Sequence, residues 1–120
     1  MQIRSSDSVK IISLDISGII GKLKRSADRA TKMNDDISEI FLFGSLATVE
    51  AVPGSDADIM IILKKSDKRI LDRVVDFMDF FKNTGVGVDI FPYTIEELNK
   101  FKEGWNPFIE EMFAHRIKLV

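Results

Sequence analysis

Residues 39–63, EIFLFGSLATVEAVPGSDADIMIIL, decide how the chain reads. Ile40, Phe41, Leu42 and Phe43 form a short apolar run that stops at Gly44, the pattern of a buried strand ending in a turn. Residues 59–63 are a second such run, with the turn formers Pro53, Gly54 and Ser55 upstream. Two short strands joined by small residues are expected. The second opens on Asp56 and Asp58.

Strand side chains alternate faces, so Asp56 and Asp58 project from the same face of an otherwise oily strand. Two like charges at that spacing repel and raise each other's pKa. A divalent cation between them removes that cost. Hard carboxylate oxygens suit Mg²⁺, which usually keeps one or two carboxylates and completes its shell with water and substrate phosphate; Mn²⁺ accepts the same ligands. The plainer alternative is a turn at Ser55 and Asp56 with Asp58 as a solvated edge residue. Gly44 and Ser45 add to the first reading. A glycine after a strand lets backbone approach a ligand, and the Ser hydroxyl with the following N–H groups can hold a phosphate oxygen. Taken alone, the pair is equally an ordinary turn that ends a strand.

A third carboxylate lies in residues 85–94, GVGVDIFPYT. Asp89 is out of place among Val86, Val88, Ile90 and Phe91 if that strand is buried. Simple alternation could also turn it to solvent, with Val88 and Ile90 on the opposite face.

The ordered set of Gly44 and Ser45, a short loop, Ser55, Asp56, Asp58 and then Asp89 resembles the nucleotidyltransferase superfamily of the DNA polymerase β type. It is most similar to the minimal nucleotidyltransferases, whose pattern is a strand ending Phe-Gly-Ser, then Ser-Asp-x-Asp, then an Asp on a following strand. The likeness runs from about Ile16 to the end. It includes the tail at Tyr93, Thr94, Glu97, Asn106 and Pro107. The resemblance implies a nucleotidyltransferase fold. It also implies Asp56, Asp58 and Asp89 as catalytic metal ligands, with Gly44, Ser45 and Ser55 on the nucleotide. Mg²⁺ is the implied metal, with Mn²⁺ an alternative, and ATP is the first candidate among the NTPs. Relatives often carry an Arg soon after the Gly-Ser pair, whereas residues 46–55, LATVEAVPGS, contain no basic residue.

The same resemblance implies a biology. Minimal nucleotidyltransferases are often paired with a small helical HEPN protein in toxin–antitoxin modules, where they act as antitoxin and transfer AMP to a tyrosine of the toxin. The alternative is a catalytically weak or inactive binding module that neutralises or scaffolds a partner by contact, which the missing loop Arg favours. A transferase acting on a small molecule is weakened because no acceptor domain is evident. Whether the chain forms a homo-oligomer is left open.

The chain has 120 residues, 45% of them hydrophobic, which suits a single small domain over residues 1–120 with a modest core. Its formal net charge of -2 argues against general attraction to nucleic acid. Cysteine is absent, which excludes disulfides and cysteine-based zinc sites, and the lone histidine, His115, excludes a multi-histidine metal site. No apolar run approaches the length of a membrane span and no leader pattern opens the chain, so a cytoplasmic location is expected.

Residues 1–8 are polar and read as loose, and residues 9–14 read as a strand or a first helical turn. Asp15 reads as an N-cap. From it Ile16, Ile19, Ile20, Leu23, Ala27 and Ala30 recur at helical spacing up to Met33, where Asn34 stops the helix. Lys64 and Lys65 are surface residues or lie near phosphate. Ser66 reads as the cap of a helix whose residues Ile70, Leu71, Val74, Val75, Phe77, Met78, Phe80 and Phe81 suggest a wide core face. Pro92 ends a strand or sits on an edge. Thr94 and Glu97 are spaced as a capping box, and Pro107 opens a last helix. Tyr93, Trp105 and His115 read as packing residues with polar tips. The expected order is helix, strand, strand, helix, strand, helix, helix. That is an α/β (α+β) domain with helices packed on a small mixed β-sheet.

Overall fold

The computed structural model describes residues 2–47, 56–104 and 106–120. Two apolar runs become its central strands, β1 (Ile37–Phe43) and β2 (Ala57–Leu63), paired antiparallel. Strand β3 (Val88–Thr94) pairs parallel to β2. The two-residue strand β4 (Ile117–Lys118) closes the other edge against β1, giving a mixed sheet in the order β3-β2-β1-β4. The parallel β2–β3 step needs a crossover, supplied by α2 (Ile70–Met78) and a 3-10 turn over Asp79–Phe81.

The sheet is covered on both faces. Leu23, Ala27 and Ala30 of the N-terminal helix α1 (Gln2–Met33) pack with Ile40, Leu42, Ile59, Ile61 and Phe77 on one side. On the other side Phe41, Phe43 and Met60 pack with Leu98 of α3 (Ile95–Glu103) and with Ile109 and Met112 of α4 (Pro107–Ala114). Burial on both faces is why β1 and β2 read as continuous apolar runs rather than alternating ones. Pro92 lies within β3, which is an edge strand, so its missing N–H breaks no ladder.

Several expectations are corrected. Helix α1 extends back to Gln2 through Asp15, so Asp15 is not an N-cap and residues 9–14 are not a strand; no proline or glycine interrupts the run before Gly18. Ser66 accepts a hydrogen bond from Lys68 N–H, yet α2 begins only at Ile70 with Arg69 as an uncapped N-cap residue. Its apolar face is narrower than expected: Leu71 and Val75 are 76% and 66% exposed, and Ile70 and Met78 are also open. With α1 against the same side of the sheet, Phe77 and Phe81 are the apolar residues of this segment that are buried. His115 is exposed at the C-cap of α4, while Tyr93 does pack, edge-on, against Phe101 at 5.3 Å. Trp105 lies outside the described residues. Among the described residues no helix is long and apolar enough to cross a membrane.

One ion pair ties the layers together. Arg73 on α2 is 5% exposed. It donates to Lys68 O and Pro92 O and makes two bonds, of 2.7 and 3.1 Å, to the Glu97 carboxylate. Glu97 is also the third residue of the capping box: it accepts from Thr94 N–H, and its own N–H donates to Thr94 Oγ1. A single guanidinium thus joins α2, β3 and the start of α3. The hydrogen bonds from Arg73 hold the Glu97 carboxyl below the usual range, with burial opposing. The sign follows: the pair's stabilisation is complete above the ordinary glutamate value of 4.5 and is lost as pH falls through the depressed folded value. Glu97→Ala is expected to lower the unfolding free energy by about 2–3 kcal/mol in urea titrations at neutral pH. That is below the range for a fully buried pair, because Glu97 is partly exposed. The gap between wild type and Glu97→Gln is expected to hold above this pH and to narrow below it.

Candidate active site

Three chain segments end at one edge of the molecule: the C-terminal end of β1 and the N-terminal ends of β2 and β3. Asp58 is the second residue of β2 and Asp89 the second of β3, and they are direct partners across the parallel pair. Phe43, the last residue of β1, is the partner of Asp58 on the other side. Asp58 shares its row with Met60, and Asp89 shares its row with Phe91, so both carboxylates stand on the α3/α4 face. Phe43, in the same row as Asp58, is buried with Ile109 and Met112 of α4. Asp58 is half-buried there, while Asp56 and Asp89 are exposed.

The crowding has an electrostatic signature. The Asp58 carboxyl is pushed above the usual carboxylate range, first by burial and then by the charges of Asp89 and Asp56. Asp58 and Asp89 thus stand side by side across the parallel pair, and the charge of Asp56 also bears on Asp58. Among the described residues no cluster of three or more His, Cys, Asp or Glu forms a ready metal-ligand set. The donor chemistry nevertheless fits a hard divalent cation: clustered carboxylate oxygens with unrelieved repulsion, open on one side to water and phosphate oxygens.

Two glycines make the crowding possible. Gly44 has φ +79° and turns the chain out of β1 into a 3-10 turn over Ser45–Ala47, closed by Ala47 N–H donating to Gly44 O at 3.0 Å. A Cβ on Gly44 would overlap the Asp58 carboxylate. Gly87 does the same for Asp56: an added Cβ would lie 2.5 Å from Asp56 Oδ1. The Gly87 carbonyl accepts from Ala57 N–H at 2.8 Å, which ties the residue between Asp56 and Asp58 to the one just before β3. Sequence reading placed Gly44 at the site but gave Gly87 no role there. Its signal was a glycine two residues before a lone strand aspartate. Ser45 begins the turn directly after Gly44. Ser55 and the rest of residues 48–55 lie outside the described residues.

Comparison with known proteins bears on this geometry. The family model described as "Nucleotidyltransferase domain" matches residues 21–120. Over 85 residues the chain is 34% identical to a Methanocaldococcus jannaschii protein that carries the provisional name protein adenylyltransferase, a match covering 65% of this chain. The chain spans about half the length, 54%, of that curated relative. A crystal structure of a provisionally assigned nucleotidyltransferase from Sulfolobus solfataricus superposes with a TM-score of 0.62 at 16% identity, over 87% of this chain and 81% of that one. At that identity the likeness is one of fold.

The two glycines are separable by experiment. Gly87 does not have a positive φ, so Gly87→Ala strains no backbone and displaces only the Asp56 carboxylate. It is expected to change thermal stability by less than about 1 kcal/mol while weakening Mg²⁺ binding. Gly44→Ala is expected to lose both, because its positive φ costs about 1–2 kcal/mol for any L side chain. Asp58 has the opposite sign from Glu97. Its raised pKa means that its charged form costs stability once pH rises through the folded value. Asp58→Asn is therefore expected to raise Tm at neutral pH without divalent cation, and the gain should vanish as pH is lowered. Differential scanning calorimetry across pH checks both.

Proposed function

The chain belongs to the nucleotidyltransferase domain family, and on that premise we propose that it transfers a nucleoside monophosphate from an NTP, with ATP the first candidate, to a hydroxyl acceptor. The observation that carries this reading is the in-register pair Asp58 and Asp89, with Asp56 two residues ahead, beside the Gly44 turn. Asp56, Asp58 and Asp89 would hold Mg²⁺, or Mn²⁺ in its place. The metal would supply neutralisation of charge on the attacking and leaving oxygens of an in-line displacement.

The chain's own residues do the rest. The turn at Gly44 and Ser45 presents backbone N–H groups to the β- and γ-phosphates, and the resemblance drawn from the sequence adds Ser55 as a further nucleotide-binding residue. Asp89 stands exposed at the strand end, where it accepts the proton of the incoming hydroxyl. That oxygen forms a bond to the α-phosphorus. The bond from the α-phosphorus to the bridging oxygen breaks, and its electron pair leaves with pyrophosphate. Asp58, half-buried beside its partner Asp89, would hold the metal in place against the nucleotide's phosphates.

The acceptor is proposed to be a protein hydroxyl. The 34% identity to a protein provisionally named a protein adenylyltransferase supports this. The resemblance drawn from the sequence narrows it to a tyrosine of a helical HEPN-type partner, with this chain as antitoxin. A second reading, a binding module that neutralises its partner by contact, is favoured by one observation: residues 46–55 contain no basic side chain to balance a triphosphate.

Incubation with candidate partner and radiolabelled ATP separates the readings. Label at the α-phosphorus is expected to appear on the partner, and label at the γ-phosphorus is not. The double substitution Asp56→Asn with Asp58→Asn is expected to cut transfer by about 10²–10³-fold. If that variant neutralises the partner as fully as wild type does, transfer is not the function.

A further inference from the structure

Phe108 is the exposed aromatic residue of α4. Its neighbours on α4, Ile109 and Met112, are buried, yet Phe108 is 52% exposed. It does not project freely into solvent. Its ring centroid lies 6.4 Å from that of Phe43 and 6.4 Å from that of Phe91, and those two rings are themselves 5.2 Å apart, edge to face. Both partners belong to the site's own strands. Phe43 is the cross-strand partner of Asp58, and Phe91 follows Asp89 by two residues on the same face. The aromatic trio thus borders the row of carboxylates, with Phe108 as its open member.

Its position is fixed in advance. Asn106 caps α4 by accepting from Phe108 N–H at 3.0 Å, and Pro107 sets the first helical residue. A half-exposed ring held rigidly beside a polar site is costly in water and useful to a flat aromatic ligand. The phosphates of a nucleotide at the aspartates leave its base within reach of the neighbouring row.

We infer that Phe43, Phe91 and Phe108 form the nucleobase subsite, with Phe108 stacking on the base of the bound NTP. This rests on the nucleotidyltransferase reading and deepens it. Base–aromatic stacking is tolerant of base identity, because every base offers a π-face. The subsite therefore supplies affinity common to all NTPs.

Calorimetric titrations of wild type, Phe108→Ala and Phe108→Tyr with Mg²⁺ and either ATP or inorganic tripolyphosphate test the inference. Phe108→Ala is expected to weaken ATP binding about tenfold and to leave tripolyphosphate binding unchanged. Phe108→Tyr keeps the ring and is expected to bind ATP like wild type. The subsite is overturned if Phe108→Ala binds ATP as tightly as wild type, even if transfer to the acceptor falls. It is overturned equally if Phe108→Ala loses ATP and tripolyphosphate to the same degree, which would mean a disturbed fold or phosphate site. Failure of wild type to bind either ligand with Mg²⁺ would overturn the transferase reading, and the subsite with it.

Discussion

The pairing register of β2 is the constraint on which the rest depends. It sets Asp58 beside Asp89 on one side and Phe43 on the other. A slip of one residue would send Asp58 to the α1 face and bring Ala57 or Ile59 to the site. What prevents the slip is packing rather than charge. Ile59 and Ile61 are fully buried against α1, and Met60 is fully buried against the α3/α4 layer, so every shifted register exposes or crowds a large side chain. Carboxylates that repel one another are held together because the oily part of the same strand has nowhere else to go. Gly44 and Gly87 give those carboxylates their space, and the glycine at position 44 also sets the turn.

The Arg73–Glu97 pair secures the other side of the site. Through the Pro92 carbonyl it grips β3 three residues beyond Asp89, and through Glu97 it orients the start of α3. α3 leads to α4, and α4 places Phe108 over Phe43 and Phe91. A buried guanidinium is expensive to desolvate, and here each of its three nitrogens finds an acceptor. Its role is geometric: it sets how the helical layer meets the sheet.

Much of this was legible in the sequence. Strands β1 and β2, the capping box at Thr94 and the placing of Asp58 and Asp89 on strands follow from local patterns that tertiary structure reinforces. Each miss has a physical cause. β4 is two residues long, too short to show alternation. Gly87 and Arg73 act on partners across the sheet or between layers, and no local pattern encodes such a contact. Leu71 and Val75 belong to a helical apolar stripe, but periodicity reports a face and cannot say whether anything lies against it. The early start of α1 was hidden because its serines and aspartate look like caps, while the absence of proline or glycine before Gly18 decided the matter.

The central claim is that the row of carboxylates binds a divalent metal with a nucleotide's phosphates. Crystals grown with Mn²⁺ and a non-hydrolysable ATP analogue test it directly, because the anomalous signal locates manganese independently of the protein. The expected result is a peak about 2.1 Å from carboxylate oxygens of Asp56, Asp58 and Asp89, with phosphate oxygens completing the shell. Bound nucleotide with manganese elsewhere, or no anomalous peak at these three residues, would contradict it.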